Sequence, residues 1–509
     1  WLKNLAKQKQ KFKTLPAHEA IELKEKLNEE LEKARKFLNE KFYNMLESKG
    51  IKISKEEFLE LKPFHWGFEF YEVFDLEKPK EERGFDVIIG NPPYGNILTN
   101  IEKDIVKMIY PFKVALTEHS LKGSHNSAAI FIERSYSIMN NNGKFSFIVP
   151  NTIARKDEFQ KLRWFILNQT YCYELADVGN PFKHSGVNLE MIIIFYGYTK
   201  PQGDHKIKIL SKRFEKPKCT KVFKSKFEKI GWLAFYHDKI FDYLLSKPKL
   251  GLHGRFFGAA RPSKLKVKVS STGDTPVVKG NGIKRFFLNK IYYIKKNKNV
   301  EAYVRSLSYP ILILPEVSGS VQATIINDKI LPISGVEIWE PKYNNLNKKY
   351  LLIILNSRLL TYYYYKYIIN CSELTTHLDS TYLERLPFMV QDNQQPFIIL
   401  CDYMLFLNAT EERRTAEKEL IEFIDKQIID SLVYELYFKE KFEQDGIKTN
   451  LLELVEPYLK DISNLSSEEQ KLQIIKKVVE KIENDKKIME QIEKIKSHPW
   501  IRVIESREK

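Results

Sequence analysis

The sequence predicts an α/β protein in which an open sheet is followed by a mixed α/β domain and a helical region. Between residues 85 and 197, short apolar runs rich in β-branched residues recur, each bounded by Gly or Pro. Helical patterns separate these runs, which is typical of a largely parallel sheet. From about residue 250 the runs are shorter and turn residues more frequent, and from Pro396 the pattern is helical and charged.

Residues 1–62 are predicted to form a helical arm. Pro16 stands where a helix begins, and apolar residues follow it at steps of three and four. These apolar residues are Leu23, Leu27, Leu31, Ala34, Leu38, Phe42 and Met45. A single apolar face on a charged helix indicates packing against the rest of the protein.

The predicted sheet lies within residues 63–200. Its strands are expected at 85–90, 144–150 and 188–197, with a weaker candidate at 173–179, and its helices at 127–140 and 157–167. Residues 201–249 are rich in Lys and Phe and are expected to be a connector. A mixed α/β domain over 250–392, with strands near 291–294 and 310–315, and a helical region over 393–509 complete the predicted architecture.

Composition narrows the class of protein. A chain of 509 residues with 43% hydrophobic residues can form more than one domain with large cores. The formal net charge of +16 favours a polyanionic partner, most commonly nucleic acid, although solvated lysines give the same balance. Four dispersed cysteines without a CxxC pair predict no zinc ribbon and no disulfide framework, and therefore a reducing cytoplasm. The apolar runs are too short to span a bilayer, so no membrane contact is expected.

The tetrapeptide Asn91-Pro92-Pro93-Tyr94 directly follows the strand predicted at 85–90. Loops at the carboxyl ends of parallel strands hold ligands in α/β folds. An amino group on an aromatic ring is a poor nucleophile, but the Asn91 side-chain oxygen and the Pro92 carbonyl can each accept one of its hydrogens. Its lone pair would then be aimed at an electrophilic methyl group, so that positioning and electrostatics supply the rate.

The prolines of this tetrapeptide stiffen the loop, and Tyr94 offers a flat face to a base that has left the DNA stack. The alternative is a stiff turn without function. The position of the tetrapeptide directly after an apolar strand that ends in Gly argues for the catalytic interpretation.

Longer stretches resemble the gamma-class adenine-N6 DNA methyltransferases, above all the large type II restriction–modification proteins that carry methylase and specificity regions on one chain. The stretches are PFHWGFEFYEVF (63–74), GFDVIIGNPPYG (84–95), IFIERSYSIMNNNGKFSFIVPNTIAR (130–155), SGVNLEMIIIF (185–195), PVVKGNGIKRFF (276–287), YLLIILNSRLLTYYY (350–364), SELTTHLDSTYLERLPF (372–388) and IDKQIIDSLVYELYF (424–438). Residues 250–390 resemble a TaqI-like C-terminal specificity domain.

This resemblance implies a Rossmann-like methyltransferase sheet. It also implies an enzyme that transfers a methyl group from S-adenosylmethionine to N6 of an adenine flipped out of double-stranded DNA. Asn91, Pro92 and Tyr94 match the catalytic loop of the family, and Pro93 matches a position that contacts the cofactor. The resemblance also implies a setting in a restriction–modification or related phage-defence system.

The second stacking aromatic of the family is matched by Phe195, at the end of the last predicted strand, with Tyr196 as its rival. In the family this residue packs against the flipped adenine on the face opposite Tyr94. A core aromatic at the end of a strand is an equally good interpretation of Phe195 from the sequence.

One part of the family pattern is missing from this sequence. The family binds S-adenosylmethionine with a Gly-rich turn and an acidic residue that precede the catalytic tetrapeptide, whereas residues 1–83 are helical by pattern and hold only Gly50 and Gly67. The strand before the tetrapeptide is normally interior, and an exposed apolar edge needs a neighbour. We therefore expect an N-terminal cofactor-binding segment, on the same longer chain or on a second chain.

Basic residues in the predicted specificity domain are candidates for DNA contacts. A first group surrounds Phe256 and Phe257, and a second flanks the Gly280-Asn281-Gly282 turn. The candidates are Arg255, Arg261, Lys264, Lys266 and Lys268 in the first group, and Lys279, Lys284 and Arg285 in the second. We expect these residues to contact phosphates. The alternative interpretation of each is a solvated surface residue without a role in DNA binding.

Two rival functions remain at this point. One is a methyltransferase that acts on another amino group, such as cytosine N4 or a protein glutamine. The other is a DNA-binding specificity subunit without activity of its own, which the missing Gly-rich turn favours and the intact tetrapeptide opposes. No nuclease motif is visible, and the chain has no Pro-Asp dipeptide. If the full protein cuts DNA, its nuclease domain is expected upstream.

Overall fold

A computed structural model describes residues 1–12, 15–118, 120–211, 218–343, 346–374 and 377–506. The chain divides into two compact units, Trp1–Phe235 and Tyr236–Lys509. The boundary between them falls inside the segment that the sequence predicts as a connector. No described helix is long and apolar enough to cross a membrane.

In the described part of the first unit, six strands form one sheet in the order β1-β2-β4-β3-β5-β6. The strands are β1 (Phe85–Gly90), β2 (Met139–Pro150), β3 (Tyr171–Gly179), β4 (Met191–Gly197), β5 (Lys206–Ser211) and β6 (Lys218–Phe223). β1 is parallel to β2, and β3 is parallel to β5, but β4 is antiparallel to both of its neighbours. The α/β class is therefore confirmed, whereas the sheet is mixed and not largely parallel, because β4 returns from β3 and inserts between β2 and β3.

Helices surround this sheet in sequence order. They are α1 (Leu2–Phe12), α2 (Ala17–Ser48), α3 (Lys55–Glu60), α4 (Trp66–Glu69), α5 (Asn100–Ile109), α6 (Ser127–Ser137), α7 (Thr152–Arg155), α8 (Gln160–Asn168) and α9 (Lys224–Ile230). The helix predicted after Pro16 is α2, whose Leu27, Leu31 and Ala34 are buried with Leu5 and Phe68. The side chain of Leu23, which was predicted for the same face, lies outside the described part of the chain.

The segment 201–249 contains more regular structure than the connector that we expected. β5 and β6 form an antiparallel pair in it that extends the sheet beyond β3. Alternating side chains in β5 explain the pairing, because Ile207 and Ile209 are buried while Lys206 is exposed. The sequence-based prediction missed this strand because the lysines beside the buried isoleucines give the segment a polar composition.

β1 is an edge strand whose apolar side chains are left uncovered. In the described residues it pairs with β2 alone. Val87 is 64% exposed and Ile89 is 79% exposed. Soluble proteins normally pair or cover such an edge, so this edge is a place where a further strand can add to the sheet.

The second unit contains short strands followed by helices. Its strands are β7 (Gly254–Gly258), β8 (Thr275–Val278), β9 (Ile283–Lys284), β10 (Phe287–Leu288), β11 (Tyr292–Ile294), β12 (Ile311–Pro315), β13 (Thr324–Ile326), β14 (Leu331–Pro332) and β15 (Val336–Pro341). They form sheets in the orders β13-β12-β15-β7, β11-β8-β14 and β10-β9. Two apolar clusters, one around Ile311 and Ile338 and one around Val277 and Ile294, stabilise these sheets.

The helices of the second unit carry most of its buried aromatic residues. They are α10 (Lys239–Leu245), α11 (Pro262–Leu265), α12 (Lys298–Arg305), α13 (Lys348–Leu355), α14 (Arg358–Tyr363), α15 (Ser380–Glu384), α16 (Gln395–Leu407), α17 (Glu411–Ala416), α18 (Lys418–Phe423), α19 (Asp430–Gln444), α20 (Leu451–Val455), α21 (Glu468–Asn484), α22 (Lys486–Ser497) and α23 (Pro499–Glu505). Residues from Gln395 onward are predominantly helical, as the sequence predicts from Pro396.

Candidate active site and nucleic-acid interface

The tetrapeptide Asn91–Tyr94 forms an irregular loop at the carboxyl end of β1. Gly90, the last residue of β1, pairs with Phe147 of β2. Pro92 is buried, Tyr94 is partly buried, and Asn91 and Pro93 are exposed. The loop therefore presents the polar side chain of Asn91 to solvent while one proline anchors it to the protein.

The residue after the tetrapeptide fastens the loop to a helix. The Gly95 carbonyl accepts hydrogen bonds from the Ser127 backbone N–H at 2.9 Å and from the Ser127 hydroxyl at 2.7 Å. Gly95 has a φ of +98°, a conformation that favours glycine. Asn126 caps the same helix, α6, by accepting from the Ala128 N–H at 3.1 Å. The position of the loop is thus fixed at both of its ends.

Tyr94 and Asn91 contact each other inside the loop. The Tyr94 hydroxyl donates a hydrogen bond to the Asn91 side-chain oxygen. The same hydroxyl lies 3.5 Å from the Ile148 carbonyl oxygen of β2. Burial raises the pKa of Tyr94, so its hydroxyl stays protonated and remains a donor. The Asn91 oxygen is therefore oriented to accept a hydrogen, as the proposed chemistry requires.

The direction of β4 changes the expected position of Phe195. Because β4 is antiparallel to β2, its first residue Met191 pairs with Pro150 at the carboxyl end of β2, whereas Phe195 pairs with Ser146. The Phe195 ring lies 6.2 Å from the Tyr173 ring. The end of β4 therefore points away from the edge that carries the tetrapeptide, and Phe195 lies within the sheet and not in a loop at that edge.

The rival Tyr196 belongs to the core. It is fully buried, and its ring stacks on Phe145 with centroids 4.1 Å apart. Its hydroxyl donates to the Ile132 carbonyl at 3.0 Å. Tyr196 thus has no face available for a base.

Phe182 lies nearer to the expected position. The β3–β4 loop begins after Gly179, which pairs with Met191, and Met191 pairs with Pro150, so this loop lies at the same edge of the sheet as the carboxyl end of β2. Phe182 lies in this loop and is partly exposed. Sequence reasoning overlooked it, although an aromatic residue in a short polar turn between two buried strands was a usable signal.

The first group of predicted DNA contacts lies around β7 and α11. Arg255 forms an ion pair with Glu340, with Nη2 and Oε2 2.6 Å apart, although both side chains are exposed. Phe256 is buried. The remaining members, Arg261, Lys264, Lys266 and Lys268, are exposed, and none of them has an ion-pair partner among the described residues. These four side chains are accessible to a polyanion.

The second group separates into different environments. Arg285 donates from Nη2 to Asp425 at 2.8 Å and to the Asn356 carbonyl at 2.6 Å. Asp425 is buried, and burial raises its pKa while Arg285 opposes that shift. Removing Arg285 would leave a buried carboxyl group without this partner. The Arg285 side chain is 39% exposed, so it lies at the surface while it forms this ion pair. Lys284 and Lys279 are partly exposed.

No group of His, Cys, Asp and Glu among the described residues is arranged to hold a metal ion. The described residues before β1 form helices and turns without a strand followed by a Gly-rich turn. Pro93 is exposed beside the open edge of β1. The tetrapeptide loop therefore lies next to an unpaired strand edge in the described part of the chain.

Two protein-family models match this chain, one in each of its two units. Residues 2–183 match the family described as Eco57I restriction-modification methylase, and residues 275–388 match the TaqI-like C-terminal specificity domain. The chain thus resembles restriction-modification methylases over its first part and TaqI-like specificity domains in its second.

Three curated relatives are similar to this chain. RM.MjaORFECS2P of Methanocaldococcus jannaschii, assigned as a type II restriction enzyme and methyltransferase, is 25% identical over 80% of this chain and 35% of its own length. The type II methyltransferase M.TthHB8I of Thermus thermophilus is 34% identical over 26% of this chain and 30% of its own length. The type II restriction enzyme and methyltransferase RM.Eco57I of Escherichia coli is 31% identical over 27% of this chain and 12% of its own length. The chain thus spans well under two thirds of these relatives.

Among solved structures, the type IIL restriction-modification enzyme MmeI in complex with DNA aligns with a TM-score of 0.43 and 10% identity, over 82% of this chain and 59% of that one. The type IIG restriction endonuclease BpuSI aligns with a TM-score of 0.28 and 14% identity, over 70% of this chain and 54% of that one.

Proposed function

We propose that this chain carries the catalytic loop and the target-recognition domain of a site-specific DNA methyltransferase that modifies N6 of adenine. The observation that carries the proposal is the fixed Asn91–Tyr94 loop at the carboxyl end of β1, in which the Asn91 oxygen already accepts a hydrogen bond. The family match over residues 2–183 supports the methylase assignment, and the choice of adenine rests on the tetrapeptide.

The chemical role of the loop is to orient the amino group of the base. The Asn91 oxygen and the Pro92 carbonyl accept its two hydrogens, so the nitrogen lone pair is directed out of the ring plane toward the methyl donor. No strong base is needed, because the proton of the amino group becomes acidic once the methyl group is transferred. Fixed acceptors that need no rearrangement during the reaction give the largest electrostatic benefit.

Tyr94 and Phe182 are proposed to hold the flipped base between them. Both residues lie at the carboxyl edge of the sheet, Tyr94 in the loop after β1 and Phe182 in the loop after β3. Stacking on aromatic faces replaces part of the stacking energy that the base loses when it leaves the duplex. Phe182 takes the role that the sequence alone assigned to Phe195.

S-adenosylmethionine supplies the methyl group when it is bound. In this chain Pro93 is the residue that would contact it, and a cofactor-binding segment on the same longer chain or on a second chain would provide the rest of the site. The support for such a segment is the open edge of β1, where Val87 and Ile89 are exposed. A strand added at this edge would pair with the backbone of β1 and would lie beside the Asn91–Tyr94 loop, and the segment that carries it could pack on the face that exposes both side chains.

Double-stranded DNA is the proposed substrate of the complete protein. The net charge of +16 and the exposed cations Arg261, Lys264, Lys266 and Lys268 favour contacts with phosphates. The match of residues 275–388 to a specificity domain supports sequence-selective binding by the second unit.

The decisive experiment is transfer of a labelled methyl group from S-adenosylmethionine to duplex DNA by the full-length protein, followed by nucleoside analysis. An Asn91→Ala variant prepared in parallel reports any contaminating methyltransferase. N6-methyladenine formed by the wild type and absent with the variant is the expected result. N4-methylcytosine, or label on protein glutamine, would replace the adenine assignment with another amino group. DNA binding without transfer would make the chain a specificity module.

A further inference from the structure

Lys279, Asn281, Lys290 and Tyr292 meet on the surface of the second unit and form what we term the tyrosine patch. The Lys279 Nζ lies 5.3 Å from the centre of the Tyr292 ring, and the Lys290 Nζ lies 5.0 Å from it. The Tyr292 hydroxyl and the Asn281 amide exchange hydrogen bonds, with Nδ2 at 3.0 Å and Oδ1 at 3.3 Å from the hydroxyl oxygen. One tyrosine thus fixes two cations and an amide in a small area.

The turn that presents Asn281 is rigid because both of its flanking glycines are tightly enclosed. A Cβ on Gly280 would lie 2.1 Å from the Gly335 carbonyl oxygen, and one on Gly282 would lie 2.4 Å from the Lys290 carbonyl oxygen. The Gly282 N–H also donates to the Lys279 carbonyl at 2.8 Å. Asn281 itself is exposed. The backbone is therefore packed close to the protein while one amide side chain projects from it.

The charge of the tyrosine patch has no counter-ion in the described part of the chain. Neither Lys279 nor Lys290 forms an ion pair there, and Lys290 is exposed. The hydrogen bond with Asn281, followed by the positive charges of Lys290 and Lys279, lowers the pKa of Tyr292. Two neighbouring ammonium groups that are not paired with a carboxylate favour a ligand with closely spaced negative charges. Consecutive phosphates of a nucleic-acid strand are such a ligand.

Asn281 retains hydrogen-bonding capacity beyond its contact with Tyr292. An amide side chain has two N–H donors and two oxygen lone pairs, and Tyr292 uses only part of them. One donor and one acceptor side by side match the N7 and N6 positions that adenine presents in the major groove. Lysines on either side of such an amide would fix its register by holding the adjacent backbone.

We propose that the tyrosine patch is a DNA-reading element, in which Lys279 and Lys290 bind backbone phosphates and Asn281 reads the major-groove edge of an adenine within the target site. This proposal rests on the proposed function for the presence of DNA. It adds Asn281 and Lys290 to the contacts predicted from the sequence, with Tyr292 as the residue that positions them, and among the second predicted group it retains Lys279.

The first test is the salt dependence of DNA binding by the full chain, measured by fluorescence anisotropy with a labelled duplex of random sequence. The double variant Lys279→Ala/Lys290→Ala should lower the slope of log affinity against log salt by about two, since each lost phosphate contact removes roughly 0.9. Lys329→Ala removes another exposed lysine of the same unit and should leave the slope unchanged. A slope equal to that of the wild type in the double variant would overturn the proposal.

The second test maps methylated sites in genomic DNA treated with the complete protein or with its Asn281→Ala variant. The variant should accept any base at one position where the wild type requires adenine, while its affinity for random DNA stays within about twofold, because a base contact discriminates by roughly 1–3 kcal/mol. An unchanged site preference would overturn the role of Asn281. Failure of the wild type to methylate would reject the proposed function, whereas the salt slope would still decide whether the tyrosine patch binds DNA.

Discussion

The Tyr94 hydroxyl donates a hydrogen bond to the Asn91 side-chain oxygen, the acceptor that the proposed reaction needs for the amino group of the base. In the protein without DNA, the tyrosine therefore satisfies a polar atom that would otherwise lie open at the loop. This oxygen has two lone pairs, so the N–H group of an entering base can use the one that the hydroxyl leaves free. Mutations can separate the roles of the two side chains. Asn91 acts through its side-chain oxygen, whereas Tyr94 acts through its ring as well as through its hydroxyl.

Asn91→Ala should abolish methylation while leaving DNA binding nearly intact. The substitution removes an acceptor for the amino hydrogens but no contact with the duplex, and loss of one fixed hydrogen-bonding group at a reacting centre costs about 100- to 1000-fold in rate. Single-turnover methyl transfer and anisotropy measured on the same preparation separate the two effects. A fall in DNA affinity as large as the fall in rate would contradict the assigned role.

Tyr94→Phe should retain most of the activity, whereas Tyr94→Ala should lose it. Phenylalanine keeps the stacking face and frees the Asn91 oxygen, while alanine removes a stacking interaction of about 1–3 kcal/mol. Fluorescence of 2-aminopurine at the target position reports the extruded base in both variants. Equal losses in the two variants would mean that the hydroxyl, and not the ring, is the functional part of Tyr94.

Phe182→Ala and Phe195→Ala test which aromatic residue completes the base pocket. Phe182 lies in the loop at the catalytic edge, so its removal should lower the methylation rate and the 2-aminopurine signal with little change in stability. Phe195 pairs with Ser146 within the sheet, so its removal should cost about 2 kcal/mol of stability and leave the rate of the folded protein unchanged. The opposite pattern would restore the assignment made from the sequence.

Glu337→Gln should stabilise the protein more at pH 8 than at pH 5. Burial, followed by the charges of Glu316, Asp379 and Glu384, raises the pKa of Glu337 from 4.5 to about 7. A raised carboxyl pKa means that the folded state binds the proton more tightly, so stability is lost as the pH rises from the unfolded value through the folded one. Glutamine cannot ionise, so the Glu337→Gln variant does not lose this stability as the pH rises.

The stability difference between Glu337→Gln and the wild type should therefore widen by about 2 kcal/mol between pH 5 and pH 8. Urea unfolding at the two pH values measures it, and Glu412→Gln, which changes an exposed carboxylate in α17, serves as the control. A difference that is the same at both pH values would show that Glu337 is ionised in the folded protein.

Ile89→Lys should weaken cofactor binding by the complete protein. If a strand of the cofactor-binding segment covers the edge of β1, a lysine there places a charge in an apolar interface, and a tenfold loss of affinity corresponds to about 1.4 kcal/mol. Equilibrium dialysis with labelled S-adenosylmethionine provides the measurement. Val304→Lys, on α12 of the second unit, is the matched control, and equal binding by all three proteins would contradict a covered edge.

Local patterns of residues predicted the elements of this protein well. The apolar run of β1, the stop at Gly90 and the tetrapeptide after it are contiguous in the chain, so the sequence alone located the loop. The apolar face of α2 was also visible, because the burial of Leu27, Leu31 and Ala34 follows helical periodicity. Each of these features depends on neighbours in sequence.

Strand direction and long-range pairing were decided only by the tertiary structure. Phe195 ends an apolar run, but whether that end lies at the catalytic edge depends on β4 being antiparallel to β2, which no local pattern specifies. Arg285 resembles any other surface cation until its partner Asp425, 140 residues away, is placed beside it. The sequence by itself thus determined the position of the tetrapeptide loop and the order of elements. The direction of β4 and the partner of Arg285 were decided only by contacts between distant segments, because such contacts leave no local pattern in the chain.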